Sequence, residues 1–104
     1  MQEEQQEPLR VKLPRANQVL GIVEQRLGAS RMRIKCLDGN IRICRIPGRL
    51  KRSLWVREGN VVLVEPWELS LKDKGDIIFK YSTSQVAWLK NKGYLKKIDE
   101  LEEF

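Results

Sequence analysis

Apolar residues in this chain fall in short runs of strand length, separated by turn formers, and only near the end take up a helical spacing. Residues 18–27 (Q-V-L-G-I-V-E-Q-R-L) are rich in β-branched side chains and predict a first strand. Gly21 in its middle predicts a sharp bend or bulge, as at the corner of a small closed barrel. Residues 28–30 form a turn. Residues 31–37 and 40–46 alternate apolar with polar and predict a hairpin joined by the two-residue turn Asp38-Gly39. That turn pairs Leu37 with Asn40, Lys35 with Arg42 and Arg33 with Cys44. It puts Met32, Ile34, Cys36, Ile41 and Ile43 on a core face, and Arg31, Arg33, Lys35, Arg42 and Cys44 on the opposite one. Residues 61–65 (V-V-L-V-E) form a continuous apolar run, the pattern of a strand buried on both faces, which Pro66 ends or bends. Residues 67–75 read as a loop. Residues 76–82 predict a fifth strand with Ile77, Phe79 and Tyr81 on one face. Ser82 and Gln85 then have capping-box spacing, and the helix they open turns Val86, Trp88 and Leu89 inward and stops at Gly93.

The expected fold is therefore mainly β, a small five-stranded barrel of OB or SH3-like type with a C-terminal helix. Its layout is a flexible arm over residues 1–17, the barrel over 18–82, a docked helix over 83–93 and an acidic tail over 94–104. With 104 residues the hydrophobic core is thin, and one domain is the expectation. No apolar run approaches the length of a membrane span. The acidic, Gln-rich start lacks the pattern of a secretory signal, so the cytoplasm is the expected compartment.

Charge sharpens the picture. The formal net charge is +6, but it is unevenly spread. Residues 1–8 and 99–104 carry acids and no cation, while the body holds all 20 Lys and Arg against 7 acids, an excess of 13. A body that basic is expected to seek a polyanion. There is no histidine, so the commonest general base and metal ligand is missing. The two cysteines, Cys36 and Cys44, have no zinc-motif spacing, and the register above puts them on opposite faces as reduced, unpaired thiols. No Gly-rich phosphate cradle and no nucleophile paired with a base can be picked out. An enzyme, a cofactor and a metal are not expected.

The candidate chemistry centres on residues 45–57 (R-I-P-G-R-L-K-R-S-L-W-V-R). Pro47-Gly48 opens a loop that holds Arg49, Lys51, Arg52 and Arg57, preceded by Arg45, around the aromatic Trp55. Cations neutralise phosphates with release of counterions, and an indole offers a face to an unpaired base. The alternative is a solvated basic loop whose Leu50, Leu54 and Trp55 turn into the core. For Trp55 the core placement is favoured, because Leu54 and Val56 flank it and the ring could close the barrel end. The hairpin adds a second cationic surface, Arg31, Arg33, Lys35 and Arg42, in which Lys35 opposite Arg42 calls for an anion nearby.

Residues 37–65 (L-D-G-N-I-R-I-C-R-I-P-G-R-L-K-R-S-L-W-V-R-E-G-N-V-V-L-V-E) resemble archaeal translation initiation factor 1A, related to eukaryotic factor 1A and bacterial initiation factor 1. The resemblance runs over about residues 13–95, taking in V-L-G-I-V-E-Q-R-L, V-E-P-W-E and S-Q-V-A-W-L-K-N-K-G-Y-L. It implies an OB-fold barrel and a non-catalytic factor that binds ribosomal RNA at the A site of the small subunit. It further implies help in placing initiator tRNA and selecting the start codon. The family's RNA-contacting loop falls on Gly48, Arg49, Leu50, Lys51 and Arg52, and its aromatic, aliphatic and basic trio on Trp55, Val56 and Arg57. This chain differs from many relatives in having Arg45 for histidine and Pro47 for another residue, and in its acidic first eight residues. The acidic end, with Ile98, Leu101 and Phe104 spaced three apart, is similar in kind to the eukaryotic tail that binds the large initiation GTPase of the 5B type. Other initiation factors and initiator tRNA are implied in the same complex, with the factor itself a monomer. The competing function is a generic single-strand binder of the cold-shock type. Such proteins carry aromatics in strands two and three, where this hairpin has only cations and aliphatics.

Overall fold

The computed structural model of the chain describes residues 10–95. Five strands, β1 (Val19–Gly28), β2 (Arg31–Cys36), β3 (Ile41–Arg45), β4 (Val61–Pro66) and β5 (Lys74–Lys80), precede one helix, α1 (Thr83–Asn91). The strands close into a barrel in the order β1-β2-β3-β5-β4. Neighbours are antiparallel except β3 and β5, whose parallel contact over residues 43–45 and 74–76 seals the barrel. This is the five-stranded OB architecture with the C-terminal helix that was expected. Among the described residues no helix is long and apolar enough to cross a membrane.

β1 serves both sides of the barrel, pairing with β4 over residues 19–22 and with β2 over residues 21–28. Gly21 belongs to both ladders. A Cβ there would lie 2.6 Å from Ile34 Cγ2 and 3.0 Å from the Lys35 carbonyl oxygen. The register breaks of β1 lie further on, between Val23 and Gln25 and between Arg26 and Gly28. Gly21 is therefore there for close strand approach rather than for a bulge.

The β2–β3 hairpin differs from expectation by one residue. Its pairs are Ile34 with Arg42, Arg33 with Ile43, Met32 with Cys44 and Arg31 with Arg45. The cause is the turn. Of Asp38 and Gly39 only Gly39 has a positive φ, 92°. A two-residue type I′ turn needs both, so the chain instead makes a three-residue loop over residues 37–39 closed by the glycine. Gly39 N–H donates to the Cys36 carbonyl (3.1 Å) and Cys36 N–H to that of Asn40 (2.9 Å). A one-residue slip inverts the whole face of β3. Cys44 and Arg42 turn inward, while Ile41 and Ile43 turn outward beside Arg33 and Lys35. Both cysteines therefore share the core side, where they are buried and free, against the opposite-face expectation.

β4 is buried on both faces as its apolar run predicts. Val62 and Val64 face the barrel interior. Val61 and Leu63 face outward into a second core with Leu20 and Tyr81, covered by Leu89 of α1 and by Leu95. β5 starts two residues earlier than expected, and its pairing with β4 shifts between Leu63↔Phe79 and Val64↔Ile77. That bulge at Ile78 sends Ile77 into the barrel and leaves Phe79 with Tyr81 in the outer cluster, so the three do not share a face.

Residues 10–17, expected as a floppy arm, lie on this outer cluster. Val11 and Leu13 pack against it, the Tyr81 hydroxyl donates to the Lys12 carbonyl, and Gln85 Nε2 donates to that of Arg10 at 3.2 Å. α1 begins at the expected capping box: Ser82 N–H donates to Gln85 Oε1 (2.8 Å) and Gln85 N–H to Ser82 Oγ (3.2 Å).

Candidate nucleic-acid interface

The loop between β3 and β4 is pinned by its small apolar side chains. Pro47 leads into a single 3-10 turn, Gly48–Leu50. Leu50 and Leu54 pack against the barrel interior, and Val56 is buried there. Backbone bonds hold the frame: Leu50 N–H to the Pro47 carbonyl (2.9 Å) and Leu54 N–H to that of Leu50 (2.9 Å). Arg57 N–H donates to Asn60 Oδ1 (2.8 Å), and Lys80 Nζ donates to the Trp55 carbonyl (2.7 Å).

With Leu54 and Val56 turned in, Trp55 between them is turned out. It is 74% exposed. The expectation that it closes the barrel end fails because the two aliphatics already fill that place and the backbone alternates across them. Arg49, Lys51, Arg52 and Arg57 are exposed around it. None of the four is in an ion pair among the described residues. The result is a rigidly mounted loop that shows solvent one indole face and four cations.

Between this loop and the β1–β2 turn lies an open cleft of about 470 Å³. Met32, Ile46 and Leu54 give it an apolar floor, and Arg26, Arg31, Lys51 and Trp55 stand around it. Its acid, Glu58, is bound by Arg26 at 3.1 Å, and the backbone N–H groups it accepts from, with the Arg26 guanidinium after them, lower its carboxyl pKa. A smaller hollow of about 180 Å³ adjoins it through Arg31 and Lys51 and adds Arg45. A flat apolar floor walled by guanidinium and ammonium groups can take an unstacked base while its phosphates lie on the rim.

Arg31, Arg45, Arg49, Lys51, Arg52, Trp55 and Arg57 thus share one end of the barrel. Arg33 and Lys35 stand on the barrel wall instead, Arg33 donating to Gln25 Oε1 (2.5 Å) and Lys35 paired with Glu24 (3.4 Å). Arg42 does not belong to an anion-facing surface. It is 3% exposed, donates Nη1 and Nη2 to the two oxygens of Asp38 (3.1 and 2.8 Å) and Nε to the Leu71 carbonyl (2.7 Å). The register slip is the reason: the inward position of β3 that was assigned to an isoleucine falls to this arginine. Partial burial alone would raise the Asp38 carboxyl pKa, but Arg42 and the Asn40 N–H lower it overall. Ile98, Leu101 and Phe104 lie outside the described residues.

Sequence reasoning missed Arg26, and it missed a cluster at the β3–β5 seam. There Trp67 packs under the Arg45 guanidinium (4.9 Å to the ring centroid), and Asp76 accepts from both. The local pattern puts both Trp67 and Lys74 in a loop, and no local signal ties residue 45 to residue 76.

A closed OB barrel that presents a fixed cationic loop with an outward indole defines the class of nucleic-acid-binding barrels. The particular family follows from comparison with known proteins. The family model for translation initiation factor 1A / IF-1 matches residues 8–103. Translation initiation factor 1A of Methanococcus aeolicus is 56% identical over 94 residues, covering 88% of this chain and 90% of its own. That of Pyrococcus abyssi is 51% identical over 87 residues (84% and 77%), and that of Methanothermobacter thermautotrophicus 47% over 91 residues (88% and 92%). This chain belongs to the translation initiation factor 1A / IF-1 family, a family of non-enzymatic factors that act in initiation on the ribosome.

Proposed function

We propose that this factor binds the A-site region of the small ribosomal subunit, and that from there it promotes initiator tRNA placement and start-codon selection. Residues 48–57 enter the ribosomal RNA. Arg49, Lys51, Arg52 and Arg57 neutralise phosphates, and Trp55 stacks on a base. The observation that carries this reading is the 74% exposure of Trp55 between Val56, which is buried, and Leu54, which packs against the same core. Leaving an indole in water is unfavourable for the free protein, and a rigid mount removes ordering cost from binding. Arg31 and Arg45 extend the contact along the barrel, with Arg33 and Lys35 on the adjoining wall. The protein acts as a monomer, and its acidic tail, through Ile98, Leu101 and Phe104, engages the initiation GTPase of the 5B type.

Footprinting on purified small subunits tests the central claim. The wild-type protein is expected to protect ribosomal RNA bases and backbone in the decoding region. A chain with Arg49, Lys51, Arg52 and Arg57 all replaced by Ala is expected to leave them open at the same concentration. Protection undiminished by the fourfold change would remove the loop from the interface.

A further inference from the structure

The seam where β3 meets β5 carries a cluster that the loop contacts leave unexplained. Arg45 and Asp76 are paired residues of the parallel ladder, and Trp67 follows directly on the end of β4. Asp76 Oδ1 accepts from Arg45 Nε at 3.2 Å and from Trp67 Nε1 at 2.9 Å. The Arg45 guanidinium lies over the Trp67 ring, and Lys74 Nζ approaches the same ring at 5.9 Å. Arg31 stands directly opposite Arg45 across the β2–β3 ladder. Three cations, Arg31, Arg45 and Lys74, thus line one small hollow with Trp67, and of the three only Arg45 is paired with Asp76. Like charges set side by side are unfavourable without an anion to share.

Asp76 takes only the Nε edge of Arg45. Among the described residues no hydrogen bond reaches the two terminal nitrogens of that guanidinium, which is still more than half exposed. The planar fork is held from below by the indole and from one side by the carboxylate, and Arg45 lines the hollow it shares with Arg31 and Lys51. A fork held so loses little rotamer freedom when it docks on a phosphate.

We propose that Trp67 and Asp76 are positioning residues that preset Arg45 as an RNA-phosphate contact. This rests on the ribosomal RNA reading above. It makes a prediction opposite in sign to simple charge counting: removing the acid from this basic face weakens RNA binding.

The test uses full-length labelled protein titrated with purified archaeal small ribosomal subunits at two salt concentrations, read by fluorescence anisotropy. Arg45→Ala is expected to weaken binding and to lower the salt slope by about one. Asp76→Ala is expected to weaken binding about three- to tenfold, the cost of ordering one long side chain, although it adds to the positive charge. Asp76→Asn keeps an acceptor oxygen and is expected to retain most of the affinity. In an Arg45→Ala background, Asp76→Ala is expected to change nothing further. Should Asp76→Ala lose its cooperative melt, Trp67→Phe carries the test. It keeps a ring under Arg45 but drops the bond that fixes Asp76, and is expected to weaken binding about two- to threefold. If Asp76→Ala, or Trp67→Phe in its place, binds as well as or better than wild type while Arg45→Ala binds worse, the positioning role is overturned and the RNA reading stands. Unchanged affinity for Arg45→Ala also overturns it. If the fourfold loop replacement is without effect as well, the RNA reading falls with it.

Discussion

Trp55 shows how two neighbours decide what a residue can do. Leu54 and Val56 are drawn into the barrel end, so the indole between them has no place there. Trp55→Ala is therefore expected to cost about 1–3 kcal/mol of subunit binding while moving the melting temperature little. A loss of about 3–5 kcal/mol in stability would instead mark it as a core residue. The thiols give the opposite case. Cys36 and Cys44 are both buried at the barrel interior, and burial pushes the Cys44 pKa up to about 12 and raises that of Cys36. Neither is expected to react with a thiol reagent at pH 8 in the native protein, and both should react on unfolding. Gly21 has space for no side chain at all. Gly21→Ala is expected to destabilise the fold by about 1–3 kcal/mol through overpacking against Ile34 and the β2 backbone, measurable by urea titration.

At the scale of elements, the β2–β3 hairpin carries the largest difference between pattern and structure. Alternation alone favours the other face of β3, because Ile41 and Ile43 alternate with Arg42 and Cys44. The turn decides, and its choice buries an arginine that must then be paired. Asp38 accepts from it with both oxygens, and against the upward pull of partial burial Arg42 and the Asn40 N–H hold its carboxyl below the usual carboxylate range. The pH consequence follows from the direction of that shift. A carboxyl whose pKa is lower folded than unfolded stabilises the fold above its unfolded value of about 3.9, and that contribution is lost as pH falls through the folded value. Asp38→Asn is therefore expected to be less stable than wild type at neutral pH. The gap between the two should close as urea melts are repeated from pH 5 downward. A gap that stays constant into acid would mean the ion pair contributes nothing that titrates. β5 makes a similar point with its bulge at Ile78, which divides Ile77 from Phe79 though they sit two apart in the chain.

At the scale of the molecule, charge and shape are partitioned. The cationic loop and the Arg31–Arg45 surface gather near one end of the barrel, while α1, Leu95 and the chain before β1 cover the outer face of β4. Deleting residues 98–104, the proposed GTPase contact, is expected to abolish capture by the isolated 5B-type GTPase in a calorimetric titration and to leave small-subunit binding intact or slightly tighter. Undiminished GTPase binding would place that contact elsewhere. Much of this layout was legible in the chain itself. Strand number and approximate position, the doubly buried β4, the capping box at Ser82 and the basic loop all come from local composition and spacing. Each depends on interactions within a few residues, or on how many faces a segment must bury. The family resemblance likewise rests on contiguous motifs. What only the tertiary structure decided depends on the geometry a turn adopts or on contacts distant along the chain. The turn conformation at Asp38-Gly39 set which face of β3 points inward, and so placed Arg42 in the core and not on the expected anion-facing surface. Packing of Leu50, Leu54 and Val56 under the loop turned Trp55 outward. Barrel closure brought residue 45 beside residue 76 and slid Trp67 beneath them, because a parallel seam joins strands that no local pattern pairs.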